Sequence, residues 1–127
     1  MNTLTWVLQV VLAVVFLLHG LAYTVAYSAL ARRMRERRGP VSPPLPPAFR
    51  QFIGVAELAA AFGLIVPPAI HLDAWLAPLA AAGLVIVMVG AAILHARRRE
   101  FPGFAVTVVL GGLAAVTLFL RWQVVPL

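Results

Sequence analysis

Three side chains stand out for the chemistry they could do inside strongly apolar stretches: Glu57, His19 and Tyr23. An ionisable group within an apolar membrane helix is costly to hold there, so it is by default a functional candidate. His19 and Tyr23 are four residues apart, which puts them on roughly one face of a helix. Carboxyl, imidazole and phenol groups can hold or pass a proton. We therefore predict a ligand-binding site at Glu57, His19 and Tyr23, with Gly54, Met88 and His95 as further candidates.

Three interpretations of Glu57 stay open. It could form a hydrogen bond with a neighbouring helix, carry a proton or bind a ligand in an internal cavity, or contact a partner protein. The small residues on its face allow either close helix packing or room for a ligand. At ~1.5 Å per residue, Glu57 lies roughly 10 Å inside Arg50 and His19 roughly 16 Å from Leu30. These depths are compatible with a contact of Glu57 with His19 or Tyr23.

Several kinds of chemistry are not expected. The chain has no cysteine, which excludes thiol nucleophiles, disulfides and iron–sulfur ligation by its own residues. It has no phosphate-binding loop, zinc-protease pair or nucleophile elbow, so no catalytic residue is predicted. No metal site is predicted, because His71 and Asp73 are too few ligands. Haem ligation by His19 and His95 is not expected, since His95 lies at the membrane boundary and His19 lies deep.

The amino-acid composition predicts the kind of helices that position these residues. Of 127 residues, 63% are hydrophobic and 11% are charged, against roughly 45–50% and about 25% in soluble proteins. A soluble domain of this size could not bury so much apolar surface, which excludes a soluble enzyme. Runs of about 20 apolar residues predict spanning helices. The predicted fold is an all-α, integral membrane four-helix bundle, a single domain over 1–127, with helices at about 4–30, 49–66, 74–96 and 103–122.

Proline and arginine positions predict where the connections between the helices lie. Pro67 and Pro68 are expected to end the second helix, and the Arg/Pro-rich segment 31–48 is expected to be a cytoplasmic loop, extended over its prolines. The first segment is expected to be a membrane helix, because its apolar run far exceeds the 7–15 residues of a signal-peptide core and no basic residue precedes it.

Arginine positions predict the orientation. Nine of the ten arginines flank the first and third connections, and cytoplasmic loops carry the excess of basic residues. Both termini are therefore predicted to lie outside, with Arg121 as the exception. Tryptophan favours headgroup depth, so three residues are predicted membrane-interface anchors at the outer helix ends: Trp6, Trp75 and Trp122.

The same arginines predict a lipid partner. Contact with anionic lipids at the cytoplasmic face is worth about 1 kcal/mol per basic residue. No nucleic-acid partner is expected, because the run has neither interleaved aromatic residues nor a binding fold. The predicted lipid contacts are Arg32, Arg33, Arg35, Arg37, Arg38, Arg97, Arg98 and Arg99.

The chain resembles the DoxX-like family of small four-helix bacterial membrane proteins. The resemblance is carried by His19-Gly20, by Gly54-x-x-Glu57 leading to Pro67, and by Pro78 to Leu84 followed by Met88, Ala91 and the basic exit His95–Glu100. It covers nearly the whole chain except the Arg/Pro-rich connection. Many members carry a lysine after the glycine of the first helix, where this chain has Leu21-Ala22-Tyr23-Thr24.

The resemblance implies a role in a membrane assembly. Members include small subunits linked to thiosulfate–quinone oxidoreduction and partners of membrane redox assemblies, so we expect an accessory or scaffold subunit in the inner (plasma) membrane, not an enzyme on its own. No cofactor is certain, but the alternative of a quinone- or lipid-binding redox component makes a quinone the candidate. A small proton-coupled carrier is a second alternative. A membrane or cytoplasmic protein partner is expected, and a homo-oligomer is left open.

Overall fold

The computed structural model describes residues 2–38, 45–73 and 75–124, except for the side chains of Met34 and Arg38. Over these residues the chain is helical and contains no strand. The helices are α1 (Asn2–Thr24), α2 (Tyr27–Arg38), α3 (Pro47–Ala69), α4 (Leu76–Arg97) and α5 (Phe101–Phe119), and α5 continues into a π-helical segment (Leu120–Val124).

Four of these helices are long and apolar enough to cross a membrane. The spans are α1, α3, α4 and α5 with its π-helical segment, of 22 to 24 residues and mean hydropathy 1.8 to 2.4. At ~1.5 Å per residue each exceeds the ~30 Å hydrocarbon core. The predicted all-α membrane bundle is therefore confirmed: this is a multi-pass membrane protein.

The four spans pack in chain order around the bundle. Each packs extensively on the next, while α1 meets α5 over a smaller surface. The first two spans, α1 and α3, run in opposite directions, because His19 of α1 meets Glu57 while the earlier residue Gln9 meets the later residue Leu64. The last two, α4 and α5, do so as well, because His95 lies beside Gly103 and the earlier residue Met88 beside the later residue Gly111. One end thus carries α2 and the α4–α5 turn, and we call it the arginine-rich end. The opposite end carries the three tryptophans and is the tryptophan end.

Apolar residues face outward and several polar residues face inward. Large apolar side chains such as Leu18, Phe52 and Ile86 are 63%, 68% and 73% exposed. Such a surface suits hydrocarbon and not water. The core is built around Leu12, Phe16, Leu64 and Leu84 with several alanines. The buried polar residues are Thr5, Gln9, Glu57, Thr107, Thr117 and Arg121.

The first predicted helix is two helices, α1 and α2, separated at residues 25 and 26. The Thr24 hydroxyl donates to the carbonyls of Gly20 and Leu21, and such bonds compete with the helical ladder. The Leu21 carbonyl also accepts from the amides of residues 25 and 26. The predicted loop 31–48 accordingly begins inside α2, while residues 39–44 lie outside the described residues. α2 is a separate, arginine-rich element at the end of a complete crossing.

The third helix, α3, continues three residues past its predicted end at Val66, through Pro67 and Pro68 to Ala69. A proline at 68 cannot donate to the Leu64 carbonyl four residues earlier. The Gln9 side chain of α1 donates to this carbonyl instead, over 2.6 Å. A side chain from another helix thus replaces the missing backbone donor, and both prolines are buried in the bundle.

The remaining helix ends differ little from expectation. The predicted start of the third span, Ala74, lies outside the described residues, and α4 begins at Leu76. The fourth span begins at Phe101, two residues before its predicted start, with Pro102 in its first turn. Proline is tolerated there, because the first amides of a helix have no partner within it.

Arg121, the one arginine away from the arginine-rich end, is buried at the tryptophan end. Its Nε donates to the Gln9 side-chain oxygen, its Nη1 donates to Asn2 over 3.2 Å, and its guanidinium lies 5.2 Å from the centre of the Trp6 ring. The network joins α1, α3 and the end of α5. An arginine held in this way is a packing element, which explains why it departs from the charge pattern of the connecting loops.

Candidate functional site

Two glycines bring α1 and α3 together beside the predicted site. A Cβ added to Gly20 would lie 2.8 Å from the Gly54 carbonyl oxygen, and one added to Gly54 would lie 3.1 Å from the Gly20 carbonyl oxygen. Backbones this close leave no room for a side chain. The neighbouring positions, His19 on α1 and Glu57 one turn beyond Gly54 on α3, therefore face each other at short range.

His19 and Glu57 form a direct pair, with Nδ1 and Oε2 2.6 Å apart. The Glu57 side chain is 1% exposed, whereas the His19 side chain is 47% exposed. The second carboxylate oxygen, Oε1, is buried and has no hydrogen-bond partner among the described residues. Buried polar atoms normally have a partner. This pair therefore has an accessible side and an unused buried acceptor.

Aromatic rings extend the pair towards the arginine-rich end. The Tyr23 ring stacks on the His19 ring, with centres 4.4 Å apart. Tyr27, at the start of α2, meets Tyr23 edge-on at 5.9 Å. The Arg50 guanidinium lies 3.8 Å over the Tyr27 ring, a cation–π contact. His19, Tyr23 and Tyr27 are spaced by four residues, which places one ring per helical turn along a column.

The predicted site residues divide into two groups. His19, Tyr23, Gly54 and Glu57 come together, since a Cβ on Gly54 would also lie 3.1 Å from the Cβ of Tyr23. Met88 is a buried core residue that packs on Gly111 of α5. His95, on α4, pairs with Glu100 and lies outside this group.

His95 forms a second histidine–carboxylate pair, with Glu100, at the arginine-rich end. His95 Nδ1 and Glu100 Oε2 are 2.7 Å apart. His19 and His95 thus each have a carboxylate partner of their own. In the described ranges, no three His, Asp or Glu side chains converge to hold a metal ion.

The predicted interface residues lie at the two ends of the bundle. Trp75 and Trp122 are exposed and Trp6 is half-buried. Of the predicted lipid contacts whose side chains the structure describes, Arg98 is half-buried and the others are exposed, while the side chain of Arg38 lies outside the description. Their contact with lipid stays a prediction.

The sequence profile of the DoxX-like family matches residues 7–117. The chain belongs to the DoxX-like family. No curated protein matches the chain, and no solved structure matches it. The part of this DoxX-like chain that the family covers includes both histidine–carboxylate pairs and ends before Arg121.

Sequence reasoning missed Glu100 as the partner of His95 and missed the Gln9–Arg121 bond. Glu100 directly follows three arginines, a context that is typical of a solvent-exposed charged turn and not of a histidine partner. Gln9 and Arg121 are 112 positions apart. The available signals were weak: an acidic residue five positions after a histidine, and two polar residues in otherwise apolar spans.

Proposed function

We propose that this DoxX-like protein is an accessory subunit of a redox assembly in the inner membrane, and that it binds the headgroup of a quinone at His19, Glu57 and Tyr23. The observation that carries the proposal is the buried Glu57 Oε1, which has no hydrogen-bond partner in the described part of the chain, beside a half-exposed His19. An unpaired buried acceptor costs about 1–3 kcal/mol. A ligand that donates a hydrogen bond there would remove this cost.

The residues present fit a quinone headgroup. A quinone, when bound, supplies two-electron, two-proton redox chemistry. Its reduced form carries hydroxyl donors, and its ring is apolar. Glu57 provides the acceptor, the His19 imidazole can donate or accept, and Tyr23 provides an aromatic surface. The pair of His19 and Glu57 can hold one proton between its nitrogen and oxygen and release it when the ligand's charge changes.

A Glu57→Gln variant should bind a short-chain benzoquinone at least tenfold more weakly than the wild-type protein. Glutamine has nearly the same shape as glutamate, but its amide nitrogen replaces one carboxylate oxygen. This nitrogen donates hydrogen bonds and cannot accept one from a quinol hydroxyl. The measurement is a binding titration in nanodiscs with the reduced and oxidised quinone analogue.

The matched control is Glu36→Gln, the same change on the exposed face of α2, which should bind as the wild type does. Wild-type protein that retains no more quinone than the surrounding bilayer would contradict the proposal.

The accessory role is supported by α2. Its described side chains include four exposed arginines, Arg32, Arg33, Arg35 and Arg37, and it contacts the rest of the bundle mainly where it leaves α1. The Arg50–Tyr27 contact ties its first turn to α3. We propose that α2 presents its charges to anionic headgroups and to an acidic surface of the partner subunit.

Reversing two charges, as Arg33→Glu with Arg37→Glu, should release the partner. Pull-downs from native membranes should recover a stoichiometric partner with the wild type and with Glu57→Gln, and at least tenfold less with the double variant. Recovery of the same partner in equal amount from the double variant would show that α2 is not the docking element.

A further inference from the structure

The face that α5 turns towards α1 is buried at one end and exposed at the other. Val106, Leu110, Leu113, Thr117 and Arg121 follow one another at spacings of three or four residues, so they lie along one side of the helix. Arg121 bonds to α1, and Thr117 is fully buried. Leu113 and Leu110 are half-buried, and Val106 is 57% exposed. Exposure on this side of α5 therefore increases towards the arginine-rich end.

α1 shows the same change along one of its sides. Thr5, Leu12 and His19 are spaced by seven residues, about two helical turns, so they share a face. Thr5 and Leu12 are fully buried, whereas the His19 side chain is 47% exposed. On both helices the exposed member of the series is the one nearest the arginine-rich end.

His19 lies level with the exposed part of α5. It follows Gln9 by ten residues, and Leu110 precedes Arg121 by eleven. At ~1.5 Å per residue, His19 and Leu110 thus lie about 15–17 Å from the Gln9–Arg121 bond. Because α1 and α5 meet over only a small surface, they are held together at the tryptophan end and separate towards the other end. We call the opening beside His19, Val106 and Leu110 the α1–α5 cleft.

An apolar groove on the other side of α1 does not reach His19. It lies between α1 and α3, and its lining includes Val14, Leu17 and Phe62. Leu17 and His19 are two residues apart, so at about 100° per residue their side chains point about 160° apart around α1. The close contact of Gly20 with α3 lies between these two directions. An apolar chain attached to a headgroup at His19 would therefore enter the α1–α5 cleft and not the groove.

We propose that the α1–α5 cleft admits the ligand sideways from the bilayer and holds its long apolar tail against Val106 and Leu110. His19 and Val106 both lie within membrane spans, so the cleft opens to hydrocarbon. The ligand class is an amphiphile, with a hydroxyl-bearing ring at Glu57 and a hydrocarbon tail, as in an isoprenoid quinol. This inference rests on the proposed function, because the headgroup site is the same one.

The position of His19 favours a ligand tail over a partner's helix in the cleft. A helix with its side chains is about 10 Å across, so one packed on Val106 and Leu110 would also cover His19 and close the site. A tail is narrow and is joined to the headgroup that the site binds. The cleft is thus continuous with the headgroup site and extends it into the bilayer.

Spin labels test the cleft, because the chain has no cysteine and a single introduced one is labelled alone. Val106→Cys reports on the cleft. Val108→Cys is the matched control, since Val108 is 51% exposed and points about 160° away around α5. In nanodiscs, an isoprenoid quinol should immobilise the label of Val106→Cys and lower its collision rate with oxygen at least twofold. The label of Val108→Cys should not change, and the same headgroup without a tail should change neither label.

Filling the cleft is a second test. Val106→Trp should weaken binding of the isoprenoid quinol at least tenfold, because the indole occupies the place of the tail, and Val108→Trp should bind it as the wild type does. Both positions are exposed, so neither substitution crowds the core. Wild-type affinity in Val106→Trp would contradict the proposal.

Three label results would overturn the cleft. The first is an unchanged label in Val106→Cys while the isoprenoid quinol binds. The second is immobilisation of a label in Val14→Cys instead, which would place the tail in the groove between α1 and α3. The third is a label in Val106→Cys that is immobile and shielded from oxygen before any ligand is added, which would mean that another copy of the chain covers it.

A long-chain alkylphenol separates this inference from the proposed function, because it donates a hydroxyl but has no quinone chemistry. If it immobilises the label of Val106→Cys in a protein that binds no quinone, the cleft is supported and the quinone is rejected. If the tailless quinone binds and neither tailed ligand changes the label, the proposed function is supported and the cleft is rejected.

Discussion

Replacing Gln9 with leucine should lower the free energy of unfolding by about 3 kcal/mol, because two buried groups each lose a hydrogen bond and each loss costs about 1–3 kcal/mol. The two groups are the Leu64 carbonyl and the Arg121 guanidinium. Leucine has a similar volume, so packing changes little. Equilibrium unfolding in mixed micelles, followed by helical circular dichroism, measures the difference.

A second substitution tests why Gln9 matters. In a Pro68→Ala background, residue 68 has an amide that can donate to the Leu64 carbonyl, as in an ordinary helix. The penalty for Gln9→Leu should then fall by about 1 kcal/mol, the net worth of one such bond. The matched control is Pro78→Ala, since Pro78 lies in the first turn of α4, where an amide has no helical acceptor.

The expected coupling is specific to Pro68. The Gln9→Leu penalty should be the same in the wild-type and Pro78→Ala backgrounds and smaller in the Pro68→Ala background. Equal penalties in all three would mean that Gln9 contributes through Arg121 alone and does not replace the missing proline donor.

Replacing Gly20 with alanine should cost about 2 kcal/mol, within the ~1–3 kcal/mol typical of overpacking. The added methyl group would lie 2.8 Å from the backbone oxygen of Gly54 and 2.9 Å from Leu58. A backbone atom cannot move aside as the end of a side chain can. α1 and α3 must therefore separate, and the His19–Glu57 pair should be lost, which the nitrogen chemical shifts of the His19 ring would report.

Gly90→Ala is the matched control for this substitution. It lies in a membrane span, on α4, and an added Cβ there would meet nothing within 4 Å. In an exposed helix position alanine is favoured over glycine by about 1 kcal/mol, so Gly90→Ala should be neutral or mildly stabilising. If Gly20→Ala and Gly90→Ala have the same free energy of unfolding, the contact between Gly20 and Gly54 does not determine the packing of α1 on α3.

The helix ends show where local patterns suffice and where they do not. Apolar runs between arginines and prolines were enough to predict four crossings, because crossing a membrane depends on length and hydropathy alone. The break at residues 25 and 26 was not predicted, since it depends on the Thr24 hydroxyl binding carbonyls of its own helix. The end of α3 was predicted one turn too early, because the donor that compensates for Pro68 belongs to α1.

Only part of the candidate site was predicted, because the rest depends on backbone conformation that local patterns do not reveal. Residue type and four-residue spacing indicated that His19 and Tyr23 share a face and that Glu57 is an unusual buried carboxyl group. Glu100 was overlooked as the partner of His95, because its approach depends on the left-handed backbone of Arg99. No spacing rule indicates that a non-glycine residue takes that conformation.

The amino-acid sequence alone determined that this protein is a membrane-embedded bundle of four apolar helices, that it resembles the DoxX-like family, and which few polar residues lie within its spans. Only the tertiary structure decided which of those polar residues are partners: His19 with Glu57, His95 with Glu100, and Gln9 with Arg121. Helical periodicity specifies the face on which a residue lies. For His19 and Glu57 the partner depends on the depth and rotation of α1 relative to α3, which follow from the backbone contact between Gly20 and Gly54.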